Sequence, residues 1–140
     1  MATRTIFTVL VVLLSARLSN AHMIMKSPVP YGAGTLNNSP LGGSDFPCKQ
    51  RAGVYEVAQM NNMAVGEQQS LSFIGSASHG GGSCQISISL DKQPNVQSTF
   101  KVIHSIVGGC PTAGTDSATF KFSIPKEVPN GEWTLAWTWF

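Results

Sequence analysis

The chain holds only three histidines, His22, His79 and His104, and three cysteines, Cys48, Cys84 and Cys110. His22 stands directly after a segment with the three parts of a secretory signal. Arg4 supplies the positive start, Ile6 to Leu14 the apolar core, and Ser19 and Ala21 the small residues at −3 and −1 of a cut. Cleavage there makes His22 the first residue of the mature chain. A leading histidine offers three nitrogens to a metal: two in its ring and one in a free α-amine. That amine has an ordinary pKa of about 7.7–8.0, so a metal displaces its proton near neutral pH at modest cost.

A second candidate ligand is His79, in Ala77-Ser78-His79-Gly80-Gly81-Gly82-Ser83-Cys84. Three glycines free the backbone and keep bulk away from the imidazole, which suits a site open to a large substrate. On the residues alone the segment reads first as a turn with a solvent-exposed histidine, and second as the other half of a metal site. The α-amine, the His22 ring and the His79 ring would form a planar set of three nitrogens. Such tetragonal nitrogen ligation favours copper(II) over zinc, which takes tetrahedral sites. His104, within Lys101-Val102-Ile103-His104-Ser105-Ile106, reads as a packed or half-exposed strand histidine with no ligand role.

Other chemistries find no support. No Gly-x-Ser-x-Gly elbow accompanies His-Gly-Gly-Gly, and no Gly-Lys-Ser/Thr follows the glycines. Carboxylates are few and scattered, with no pair suited to glycoside hydrolysis. Removing Arg4 and Arg17 with the signal leaves seven basic against seven acidic residues. With no basic surplus, nucleic acid is excluded as a partner. The apolar run in the signal is too short to span a membrane, so the expected product is soluble and secreted.

The elements that must position the two histidines are strands. Residues 1–21 read as the signal peptide and 22–140 as one domain, short enough to gain from a covalent staple. From His22 to about Gln50 the chain is rich in Pro, Gly, Ser and Asn and reads as ordered loop, with a glycosylation sequon at Asn37. Alternation then marks strands at Ser70–Ile74, Cys84–Leu90, Phe100–Val107 and Thr119–Ile124. In the last run Trp133, Leu135, Trp137 and Trp139 share one face, and Cys84, Ile86, Ile88 and Leu90 share one in theirs. Val54–Met63 is the sole, weak helix candidate. Short strands separated by turn signals suggest a β-sandwich. If the Cys84 and Phe100–Val107 strands lie antiparallel, Cys84 and Cys110 can bridge, leaving Cys48 unpaired.

Taken together, His22 after the cut, Pro28-Val29-Pro30-Tyr31-Gly32, Leu36-Asn37-Asn38-Ser39-Pro40-Leu41, Ser44-Asp45-Phe46-Pro47-Cys48-Lys49, the His79 segment, Phe100 to Pro111 and Leu135-Ala136-Trp137-Thr138-Trp139-Phe140 resemble a known family. It is the fungal lytic polysaccharide monooxygenases of the chitin-active auxiliary-activity family eleven. The resemblance implies an all-β, immunoglobulin/fibronectin-III-like sandwich with long loops. It further implies one copper ion held by His22 through amine and ring and by His79, with Ala77 crowding one axial side. A secreted monomer acting on crystalline chitin with an external electron donor follows from it, as does a Cys84–Cys110 disulfide. The family pattern continues beyond an aromatic strand like that ending at Phe140, into an axial tyrosine and a further cysteine. The sequence is therefore expected to be C-terminally incomplete, which also accounts for an unpaired Cys48. The alternatives are a non-catalytic copper- or polysaccharide-binding module, or an inactive truncated product.

Overall fold

A computed structural model describes residues 22–112 and 119–140; the signal segment expected at 1–21 lies outside them. The described residues form six strands and no helix: β1 Met23–Ser27, β2 Gln68–Gly75, β3 Cys84–Ser89, β4 Lys101–Ile106, β5 Phe120–Ser123 and β6 Thr134–Trp139. They make two antiparallel sheets, ordered β1-β2-β5 and β4-β3-β6. Alternating apolar residues from both sheets meet between them, as the sandwich reading requires. Leu71 of β2, Ile86 of β3 and Phe122 of β5 are almost wholly buried, joined by Ile124. Met25, Phe73, Ile103, Leu135 and Trp137 pack around this cluster. Each such side chain contributes about 1.5–3 kcal/mol when fully removed from water.

Three expectations change. Met23–Ser27 is an edge strand, not loop: Met23 pairs with Gly75, Ile24 with Ile74 and Met25 with Phe73, before a bulge at Ser27. The pairing is possible because the Pro-rich run begins only at Pro28. β3 ends at Ser89, and Leu90 is exposed, not part of the buried face. The third change is at Val54–Met63, the helix candidate, which forms turns and irregular chain. Ser87, Ser89 and Thr134 are buried although they alternate with the core residues. Thr134 Oγ1 donates to the carbonyl of Asp91 at 2.6 Å, so its burial carries no unpaired hydroxyl.

Between β1 and β2 runs a long strand-free segment held by side chains. Arg51 donates to the carbonyls of Lys49 (2.7 Å), Gly32 (2.9 Å) and Tyr31 (3.3 Å) and to Thr35 Oγ1 (3.0 Å). Lys49 donates to Ser39 and Pro40 carbonyls and pairs with Asp45 at 3.0 Å. Asn61 grips Val29 from both sides, accepting from its N–H at 2.9 Å and donating to its carbonyl at 2.8 Å. Tyr55 and Gln50 both reach the carbonyl of Pro94, tying the segment to the β3–β4 connection.

Candidate metal site

The sheets bring His22 and His79 together at one end of the sandwich. His22 immediately precedes β1, whose pairing with the end of β2 fixes its backbone. His79 lies four residues beyond Gly75 in the β2–β3 connection, with φ +48°, followed by Gly80 at +84° and Gly81 at +95°. A left-handed backbone is uncommon outside glycine, and histidine is among the residues enriched there. The turn closes through Gly81 N–H donating to Ser78 O at 2.7 Å. Its exit is fixed by neighbours on both sides of β3. Ser83 exchanges backbone hydrogen bonds with Phe140, extending the β6 ladder, and Cys110 N–H donates to Gly82 O at 3.2 Å. The Cys84–Cys110 disulfide, Cα atoms 5.7 Å apart, clamps the same end.

The two imidazole centroids are 5.1 Å apart, with ring planes at 55°. Metal–imidazole bonds of about 2.0–2.1 Å place two rings on one ion with centroids roughly 4.5–6.5 Å apart, depending on the angle between the bonds. The observed pair falls inside that range. Among the described residues no group of three or more His, Cys, Asp or Glu side chains gathers to hold a metal. The donor set on offer is thus two imidazoles, joined by the His22 α-amine once the chain is cut before it. That all-nitrogen set fits copper better than calcium or magnesium, which take oxygen ligands.

Trp139 is the neighbour that sequence reasoning missed. Its ring lies 5.9 Å from His79 and 6.5 Å from His22, forming an apolar wall beside both. It stacks at 17° on Trp137, which in turn meets Phe73 at 4.5 Å in the core. The signal was present in the register: Trp139 pairs with Cys84, five residues after His79, so the end of β6 must reach the same edge. Gly82 makes the seat, since a Cβ there would stand 2.5 Å from Trp139 Nε1 and 2.4 Å from Phe140 O. Among the described residues the buried indole N–H of Trp137 has no acceptor.

Ala77 is half-buried in the β2–β3 connection, two residues before His79. His104 is half-buried in β4 opposite Ile86 and takes no part in the pair. Tyr31 and Tyr55 face each other edge-on at 5.7 Å within the long segment. Cys48 is a free, half-buried thiol there, and burial pushes its pKa up against a lesser, opposite effect of a hydrogen bond with Tyr55. No described helix is long and apolar enough to cross a membrane.

No protein-family model matches the chain. Three curated relatives do, each an AA11 family lytic polysaccharide monooxygenase. One from Aspergillus oryzae is 49% identical over 91% of this chain and 33% of its own length. Two from Aspergillus fumigatus, designated B and A, are 45% and 38% identical over 94% and 91% of this chain. The chain spans 35% of the first of these and 61% of the second. Through nine-tenths of its length the chain is similar to all three of these AA11 family lytic polysaccharide monooxygenases.

Proposed function

We propose that the protein is secreted, begins at His22 after removal of residues 1–21, and cleaves crystalline chitin oxidatively with one copper ion and an external electron donor. The single observation that carries this reading is the 5.1 Å pairing of the His22 and His79 rings at an end of the sandwich. His22 would bind through its amine and ring and His79 through its ring, with Ala77, two residues before His79, crowding the bound ion. Bound copper supplies the redox chemistry that, with oxygen or peroxide, oxidises a C–H bond at the glycosidic linkage.

What the chain itself contributes is position and access. The β1–β2 ladder holds the His22 backbone, and the Ser78–Gly81 turn presents His79 to solvent. Trp139 lies beside both rings, and an apolar neighbour there would favour metal–nitrogen bonds over hydration. The glycines at 80 and 81 leave the outer side without side chains, which suits contact with a flat insoluble polymer.

The test is direct. Processed protein beginning at His22 is loaded with copper, given a reductant and β-chitin, and the soluble products are weighed by mass spectrometry. Oxidised chito-oligosaccharides are expected, and they disappear in His79→Ala. Soluble, copper-loaded protein that yields only unoxidised material would refute the reading. Stoichiometric copper binding without any oxidised product would instead favour the binding-module alternative.

A further inference from the structure

We propose that Gly75 is a positioning residue: it is the joint that sets the spacing between His22 and His79, and any side chain there opens the pair. The inference rests on the copper-site reading above and adds to it a residue outside the ligand set.

Gly75 is the last residue of β2 and touches both halves of the site in different ways. Across the ladder it faces Met23, and a Cβ built on it would lie 2.5 Å from the carbonyl oxygen of His22. The same Cβ would stand 2.8 Å from Met23 Sδ and 3.1 Å from Met23 Cα. Ordinary carbon–oxygen contacts run at about 3.3 Å, so the carbonyl must retreat by most of an ångström. The clash is with backbone on the partner strand and cannot be relieved by turning a side chain. Along the chain, Gly75 launches the four-residue reach to His79. Its φ of +147° belongs to a region that residues with a side chain rarely adopt, so substitution also redirects that launch.

Both displacements act on the same distance. If the start of β1 gives way, His22 moves out. If the end of β2 gives way, Ser76 to His79 move with it. The pair stands at 5.1 Å, and each displacement widens it toward the roughly 6.5 Å beyond which two rings can no longer share an ion, weakening the joint grip before that limit is reached. Elsewhere the fold tolerates a methyl group: Gly34 has nothing within 4 Å of its built Cβ. Gly75 therefore differs from the exposed glycines around it by what it allows His22 to do.

The experiment uses processed protein starting at His22, with copper(II) as the probe. Affinity is measured by calorimetry, the ligand set by electron paramagnetic resonance, and the fold by melting temperature. Gly75→Ala is expected to weaken copper binding at least tenfold and to change the nitrogen hyperfine pattern, while Gly34→Ala leaves both as in the wild type. His79→Ala calibrates the site. If His79→Ala weakens binding and Gly75→Ala binds like the wild type with an unchanged spectrum, the joint is refuted and the copper reading stands. If His79→Ala leaves affinity and spectrum untouched, the copper reading falls and the joint with it. Should Gly75→Ala alone fail to fold, the substitution is made in Met23→Ala, where the Sδ contact is gone but the His22 carbonyl contact remains. A tenfold loss relative to Met23→Ala alone supports the joint, and equal affinity overturns it.

Discussion

The β4-β3-β6 sheet and the segment between β1 and β2 solve the same problem by opposite means. In the sheet, backbone pairs with backbone: β3 meets β6 over six registered positions from Cys84–Trp139 to Ser89–Thr134. Its side chains are left free to pack, and Ile86 is 1% exposed. In the segment, isolated turn bonds such as Gly32 N–H to Glu56 O at 2.8 Å replace a ladder, side chains serve many of the other backbone groups, and Arg51 alone satisfies three carbonyls. The sheet loses stability gradually as its core is trimmed, whereas the segment depends on a few cationic and amide groups with fixed donor geometry. The catalytic proposal needs the first. What the second contributes is a defined surface around the strands that it wraps.

Breaking each region separately sharpens the contrast. Ile86→Ala should cost about 2–5 kcal/mol by leaving a cavity between the sheets, read as one cooperative loss in a denaturant curve. Separating Cys84 from Cys110 by serine at both positions should cost about 2–5 kcal/mol, since the bridge joins residues 26 positions apart. Arg51→Ala should cost about 1–3 kcal/mol, with Arg51→Lys restoring little, since lysine lacks the planar fork. If the segment is its own unit, Arg51→Ala will speed proteolysis between residues 32 and 56 before it lowers the global melting temperature. A single cooperative shift matching Ile86→Ala in kind would show instead that sheet and segment unfold together.

A smaller effect tests the segment by pH. Burial raises the pKa of both Cys48 and Tyr55 above their ordinary values. Because the folded values are the raised ones, the unfolded chain gives up these protons first as pH climbs. Their contribution is therefore intact below the ordinary thiol and phenol values, about 8.5 and 10, and is lost as pH rises through the folded values. A melting temperature flat to about pH 8 and falling above it is expected, with a shallower fall in Cys48→Ala. At the bottom of the scale, Lys92→Ala removes an exposed pair with Glu132 and should leave the melting temperature unchanged.

The same contrast explains what could be read from sequence. Alternation at Ser70–Ile74, Cys84–Ser89 and Thr134–Trp139 follows from a period of two that the sheet imposes, so the sandwich was legible. β1 was not, because only Met23 to Ser27 precede the prolines and such a short run carries no period. The burial of Ser87, Ser89 and Thr134 was not legible for another reason: alternation reports polarity, and a buried hydroxyl such as that of Thr134, with its internal acceptor, looks the same as an exposed one. Arg51 and Lys49 read as plain charges, since nothing local reveals a carbonyl 10 to 20 residues away. His22 and His79 were singled out by chain position and by glycines, and the resemblance joined them. Trp139 and Gly75 went unnoticed as site residues because their importance lies in what they face across a ladder.

The nearness of Trp139 to both imidazoles has an optical consequence. Indole emission is quenched when a paramagnetic ion sits close to the ring, and Trp139 lies beside the paired histidines while Trp133 is occupied elsewhere, donating to the Pro129 carbonyl at 2.9 Å. Trp137, stacked on Trp139, can pass its excitation to that neighbour. The protein thus carries its own luminescent gauge of the histidine pair, one that would dim on copper loading and recover with a chelator, without any label attached to the surface.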